Sequence, residues 1–184
     1  MPKDPAGGQI ARSHKQSPRG KTRRVAYDGS MKTILTPIDS SAVSNEVVAT
    51  AKELAKAMSA RIVLITIVQP PVFTSEYTAV MENIAEVVEI GEKAAARQLD
   101  KVKERLVADG IVVETAQFNG SPVIHITEQA EAWNADLVVM GSHGHTAFYD
   151  LLVGSTTHGV MKRARCPVVI VPPAANYRSK SGTS

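Results

Sequence analysis

Residues 140–159 read MGSHGHTAFYDLLVGSTTHG and follow directly on the apolar run 137–139. The stretch holds four glycines, two serines, three threonines and three histidines, a concentration of small and polar groups that invites a search for chemistry. Gly141 and Gly144 come as the chain leaves the apolar run, and Gly154 stands just before Ser155, Thr156 and Thr157. Glycine lets backbone N–H groups approach an anion closely, and a helix opening at Gly154-Ser155 would add unpaired N–H donors and the positive end of its dipole. The three hydroxyls add further donors, so the group best matched is a phosphate chain. Glycine spacing alone is a loose signal, because glycines after a strand and Ser or Thr before a helix are also ordinary turn and cap chemistry.

A second candidate is Asp39, at the end of the segment KTILTPID. From the residues alone the favoured role is a turn or cap before Ser40, Ser41 and Ser44, although a carboxylate at the tip of a strand has the chemistry to accept from ribose hydroxyls or hold Mg²⁺. The histidines raise a metal reading. His143 and His145 are separated by one residue and His158 lies one helical turn past Gly154, but no cysteine or fixed carboxylate pattern completes a zinc set. Phosphate donation by His143 fits better. Catalysis has less support: there is no Gly-Lys-Thr of the Walker type, no Lys or Arg over residues 142–153 and no Gly-x-Ser-x-Gly turn. Asp150 is available, yet without a cation for developing charge, fast phosphoryl transfer is hard to build. Binding is the favoured function.

The elements that position these residues are legible as alternation. Apolar, β-branched runs at 34–38, 62–68, 111–116, 137–140 and 168–171 are nearly continuous, as expected of strands covered on both faces of a parallel sheet. Each gap holds a helix. The first, over 44–58, puts Val47, Val48, Ala51, Leu54, Ala55 and Met58 on one stripe. The second, over about 79–109, aligns Val80, Ile84, Val87, Val88, Leu99, Val102 and Leu106, with Gly91 as a candidate kink and Gly110 as its stop. The third opens at a capping Ser121 with Pro122 behind it and runs to Trp133, a candidate core anchor. His125 reads there as a surface or packing residue. The fourth opens at Gly154-Ser155 and ends before Cys166-Pro167, with Lys162, Arg163 and Arg165 at its negative end. Five strands and four helices predict a single open, doubly wound α/β sheet with helices on both faces. Ligands in such sheets bind at the carboxyl ends of the strands, which is where the glycine loop falls. Pro37 is awkward, one residue short of the end of its run.

At 184 residues and 43% hydrophobic, the chain suits one compact core. Its apolar runs are far shorter than the roughly 18 to 20 residues that span a bilayer, so no membrane partner is expected. The single cysteine, Cys166, can form no disulfide within the chain; it reads as a small buried hydrophobe and fits a cytoplasmic location. Of the net charge of +3, residues 1–29 hold +5, from seven Lys and Arg against two Asp, leaving −2 on the rest. The basic pI describes a tail, and no nucleic-acid partner is expected of the body. Residues 1–30 lack apolar periodicity and read as disordered: a basic extension, an organellar transit segment, or a leader ahead of a start at Met31. Residues 31–172 form the expected domain and 173–184 a frayed tail.

The spacing Gly141-x2-Gly144-x9-Gly154-Ser155 closely resembles the nucleotide-binding signature of the universal stress protein family. KTILTPID, GSPVIHITEQAEAWNADLVVMGSHG and VGSTTHGVMKRARCPVVIVP resemble the family in the same order, so that the likeness covers about residues 31–172. The resemblance implies a five-stranded fold like that of the adenine nucleotide alpha hydrolases, and a homodimer paired through the strand Val168–Val171. It implies ATP with Mg²⁺ as ligand, adenine contacts from Pro37, Ile38 and Ile67, and ribose or metal contact from Asp39. It assigns the phosphates to Gly141, His143, Gly144, Gly154, Ser155, Thr156 and Thr157, with Met140 lining the pocket. The expected function is a dimeric, ATP-binding stress-response module acting through unidentified protein partners. The alternatives are a slow Mg²⁺-dependent adenine-nucleotide hydrolase, a nucleotide-independent interaction dimer, and a cyclic nucleotide in the same pocket, since glycine amides do not count phosphates.

Overall fold

The computed structural model describes residues 32–41, 43–69, 84–142 and 154–173. Among these residues five strands and four helices alternate: β1 Thr33–Pro37, α1 Ser44–Met58, β2 Arg61–Val68, α2 Ile84–Ala108, β3 Val113–Asn119, α3 Pro122–Ala132, β4 Leu137–Gly141, α4 Ser155–Arg163 and β5 Val168–Val171. The strands are all parallel, in the order β3-β2-β1-β4-β5. The chain therefore winds outward from β1 in one direction through β2 and β3, then reverses to build β4 and β5, and the switch point lies between β1 and β4.

Continuous apolar strands are explained by two cores. Ile34, Ile62, Leu64, Leu137, Val139 and Val171 pack against Val47, Ala51 and Ala55 of α1 and Leu99, Val102 and Leu106 of α2. The alternate side chains Leu35, Val63, Ile65, Val138 and Met140 pack against Ile126 and Ala130 of α3 and Val160 of α4. Each fully buried Leu, Ile or Val contributes about 1.5–3 kcal/mol of transfer free energy, and the central strands bury one at nearly every position, on alternating faces.

Three helices end alike. Beyond α1, α2 and α3 the residues Ser59, Gly110 and Asn134 take positive φ of 50°, 81° and 48°, and the next residue's N–H reaches back to Ala55, Leu106 and Ala130 at 2.9, 3.0 and 2.8 Å. This closure satisfies the last carbonyls and feeds each helix directly into the next strand. At this amino-terminal end of the sheet, the Arg61 guanidinium donates to Glu114 Oε1 at 2.8 Å and to Thr33 Oγ1 at 2.9 Å, and lies 5.4 Å from the Trp133 ring centroid.

Several expectations shift by a residue or more. β1 ends at Pro37 rather than 38, so the missing N–H falls at the strand terminus and Ile38 carries the ladder one step on, donating to Ile65 O at 2.9 Å. β3 begins and ends later than its apolar run, because Gln117 and Asn119 still pair with β2. Ser121 is the N-cap of α3 but makes no side-chain capping bond. Among the described side chains of α2, Leu99, Val102 and Leu106 reach the core; Val87, expected on the same stripe, is 58% exposed, and Val80 lies outside the described residues. Trp133 is half-buried against the second core, and Cys166 is half-buried, with burial pushing its thiol pKa up. Arg165 pairs with Glu131 of α3 at 3.2 Å instead of closing α4, whose Gly159 carbonyl accepts from Arg163 at 3.3 Å. His125 stacks on Phe118 with ring centroids 5.2 Å apart, a packing role as expected.

Candidate functional site

The carboxyl ends of β1, β2 and β4 and the amino ends of α1, α3 and α4 surround a cavity of about 930 Å³. Pro37, Ile38, Asp39, Ile67, Met140, Gly141, Gly154, Ser155, Thr156 and Thr157 all line it. Ten of the twelve sequence candidates thus meet at the switch point of the sheet, where an α/β architecture opens a crevice for ligands. His143 and Gly144 lie outside the described residues, as do His145 and Asp150.

One wall is set by the start of α4. Gly154 is its N-cap, held to the end of β4 by a bond from its N–H to Ser142 O at 2.9 Å. The first intrahelical bond runs from His158 N to Gly154 O, so the N–H groups of Ser155, Thr156 and Thr157 precede any intrahelical acceptor. Gly154 has no side chain to cap them, and they stand at the cavity with the positive end of the helix dipole. Ser155 is exposed and Thr156 half-buried, whereas Thr157 is only 2% exposed. The Thr157 hydroxyl lies 2.9 Å from Gly141 O and 3.3 Å from Ser142 O, so its proton is engaged by the strand end it braces.

The opposite wall is the β1–α1 turn. Asp39 Oδ1 accepts from Ser41 N–H at 3.0 Å and from the Ser41 hydroxyl. Ser44 Oγ accepts from Asp39 N–H at 3.1 Å and lies 2.7 Å from Asp39 O and 2.9 Å from Oδ1, two acceptors that share its one proton. The Gln98 side chain of α2 donates to Asp39 O at 2.7 Å. Asp39 is therefore a turn residue, and the two roles weighed for it are compatible: Oδ1 builds the turn, while Oδ2 has no partner among the described residues. Between the walls, Pro37, Ile38, Ile67 and Met140 supply apolar surface.

The cavity's remaining contributors carried no usable sequence signal. Gly91, Ala94, Ala95 and Gln98 of α2 and Ser121 to Val123 of α3 read as ordinary helix and cap residues, and their convergence depends on strand order. Among the described lining residues Asp39 is the one charged group. Among the described residues no group of three or more His, Cys, Asp or Glu could hold a metal ion, and no helix is long and apolar enough to cross a membrane.

Known proteins agree with this architecture. The chain is 36% identical over 142 residues to universal stress protein MJ0531 of Methanocaldococcus jannaschii, covering 76% of this chain and 81% of that one. The solved structure of MJ0577, from the same organism, superposes with a TM-score of 0.65 at 27% identity, covering 77% of this chain and 95% of the other. A universal stress protein solved in complex with cAMP matches at a TM-score of 0.55 and 26% identity, over 78% of this chain and 98% of that one. The model for the universal stress protein family matches residues 31–172, which hold every element of the sheet, its helices and the cavity, and the chain belongs to that family.

Proposed function

We propose that this chain is a nucleotide-responsive binding module that takes ATP with Mg²⁺ in the cavity at the carboxyl edge of the sheet. The observation that carries the reading is the convergence on one cavity of open N–H donors at the start of α4, an apolar wall from β1, β2 and β4, and the Asp39 carboxylate. Phosphates would lie at Gly141, Gly154, Ser155 and Thr156 and at the Thr157 N–H, with His143 and Gly144 completing the loop. Adenine would pack on Pro37, Ile38, Ile67 and Met140, and Asp39 would take the ribose or the metal. A Mg²⁺ ion needs no more from the protein than this, since it keeps several waters and binds through one or two carboxylates together with ligand phosphates. The related structure holding cAMP supports an adenine nucleotide as the ligand class.

The chemistry supports binding over turnover. The described donors at α4 are neutral N–H and hydroxyl groups, which hold a phosphate without supplying the cation that offsets charge in phosphoryl transfer. The module is read as acting in the cytoplasm on protein partners, as a homodimer paired through β5. The edges of the sheet support that pairing: β3 reads VETAQFN and carries polar side chains, whereas β5 reads VVIV.

Calorimetric titration of the full chain with ATP, ADP and cAMP, each with Mg²⁺, tests the reading together with Gly154→Val. The wild type should bind ATP in the micromolar range with negligible product over hours. The valine side chain should weaken ATP binding at least tenfold by standing where the phosphate meets backbone. Folded wild-type protein that binds none of the three, or equal affinity in a folded variant, would overturn it.

A further inference from the structure

Helix α2 lines the cavity with Gly91, Ala94, Ala95 and Gln98, spaced i, i+3, i+4 and i+7 on one helical face. A Cβ at Gly91 would meet nothing within 4 Å, and the two alanines add only methyl groups, so Gln98 is the single polar side chain that α2 brings to the cavity. Its amide works in both directions. Nε2 donates to Asp39 O at 2.7 Å, and Oε1 accepts from the Ser40 hydroxyl at 3.4 Å. Ser41 and Ser44, the other side chains fastening Asp39, are its near neighbours in sequence, whereas Gln98 lies 59 residues away. With Ser44 and Gln98 both on the Asp39 carbonyl, its two lone pairs are engaged and the peptide plane from which the carboxylate projects is fixed.

We propose that Gln98 is a positioning residue for nucleotide recognition, holding the Asp39 peptide so that the second carboxylate oxygen, Oδ2, is presented to the ligand in the cavity. The proposal rests on the nucleotide reading above. A primary amide of this length is the chemistry required. Methionine has the reach but no donor, and an ionised carboxylate would set a second acceptor against the Asp39 carbonyl. A protonated carboxyl, by contrast, restores an O–H donor and a carbonyl acceptor in nearly the same shape. The charged groups around this position, among the described residues, are Asp39 on the turn and Lys101, Glu104 and Arg105 of α2 in the adjoining groove; α1 brings the uncharged Ser44 and Asn45.

The test uses the full chain, with wild type, Gln98→Glu and Gln98→Met titrated with Mg²⁺-ATP at pH 8, 6.5 and 5, each checked for folding by thermal melting. At pH 8, Gln98→Glu should bind about tenfold more weakly than wild type and Gln98→Met about fivefold, the scale of one lost hydrogen bond with and without a repulsive replacement. An introduced carboxyl titrates from about 4.3 upward when another carboxylate is near. Its deficit relative to wild type should therefore narrow to about threefold or less by pH 5, while that of Gln98→Met stays flat. In an Asp39→Ala background, Gln98→Met should cost nothing further, because the group being positioned is gone. Affinities of both folded variants within twofold of wild type at every pH would overturn the proposal. So would an equal, pH-independent loss in both, or an undiminished loss in the Asp39→Ala background, which would make Gln98 a packing residue. A wild type that binds no nucleotide would remove the site reading and this proposal together; a wild type that binds while the variants match it removes the proposal alone.

Discussion

Thr157 sits in the first turn of α4, beside Ser155 and Thr156, yet its hydroxyl serves the fold. It is buried and donates to the carbonyls that end β4, Gly141 O at 2.9 Å and Ser142 O at 3.3 Å. Thr157→Val keeps the volume and removes the donor, leaving the Gly141 carbonyl short of a partner while Ser142 O keeps the Gly154 N–H, which costs about 1–3 kcal/mol. Urea denaturation should show that loss, with ATP affinity falling less than in Gly154→Val because the Thr157 N–H remains; unchanged stability would mean the strand end finds another donor. Residue types alone grouped 154–157 as phosphate contacts. They could not separate them, because a helix turns about 100° per residue and three adjacent hydroxyls face three directions. Asp39 shows the same limit in reverse: turn residue and ligand-facing carboxylate were competing readings in sequence, and the two oxygens of one carboxylate allow both.

Helices α3 and α4 meet where Gly159 faces Val123. A Cβ at Gly159 would come within 2.8 Å of Val123 Cγ2 and 3.1 Å of Cγ1, and a β-branched neighbour has little rotamer freedom to yield. Gly159→Ala gains up to about 1 kcal/mol of helix propensity, but overpacking costs about 1–3 kcal/mol, so the clash should win and stability fall. Restoring space with Val123→Ala in the same chain should recover part of the loss; a Gly159→Ala protein more stable than wild type would show that the helices separate freely. Val123 also lines the cavity, so this close approach helps set its shape. At this scale the sequence was most informative. α1 and β5 fall on their expected bounds because apolar periodicity marks both ends. The stop at Gly110 was legible because glycine favours positive φ, whereas serine at Ser59 seldom takes it and asparagine at Asn134, which takes it more readily than other side-chain-bearing residues, is as common in turns of other kinds. The first half of α2 misled, since a stripe containing Val87 and Val88 looks like core when the facing surface is a cavity lined by Gly91, Ala94 and Ala95.

Among the described residues the sheet presents two edges, and they differ in kind. Along β3 the polar side chains Glu114, Gln117 and Asn119 discourage pairing, while β5 offers half-buried Val168, Val169 and Ile170. The bonds from Val138 N to Pro167 O and from Ser142 N to Val171 O show that alternate residues 167, 169 and 171 face β4. By the two-residue period of a strand, the N–H and C=O groups of Val168 and Ile170 then point away from β4. Ile170→Pro removes one outward donor and leaves the β4 ladder intact, a substitution that edge strands tolerate. If the homodimer forms through β5, sedimentation should show the wild type as a dimer and the folded variant as a monomer at the same concentration. A variant that remains dimeric would move the interface elsewhere, and a monomeric wild type would remove it. Because β5 pairs directly with β4, whose last residue Gly141 enters the cavity, loss of the dimer should also loosen the phosphate wall, and ATP affinity should fall together with assembly.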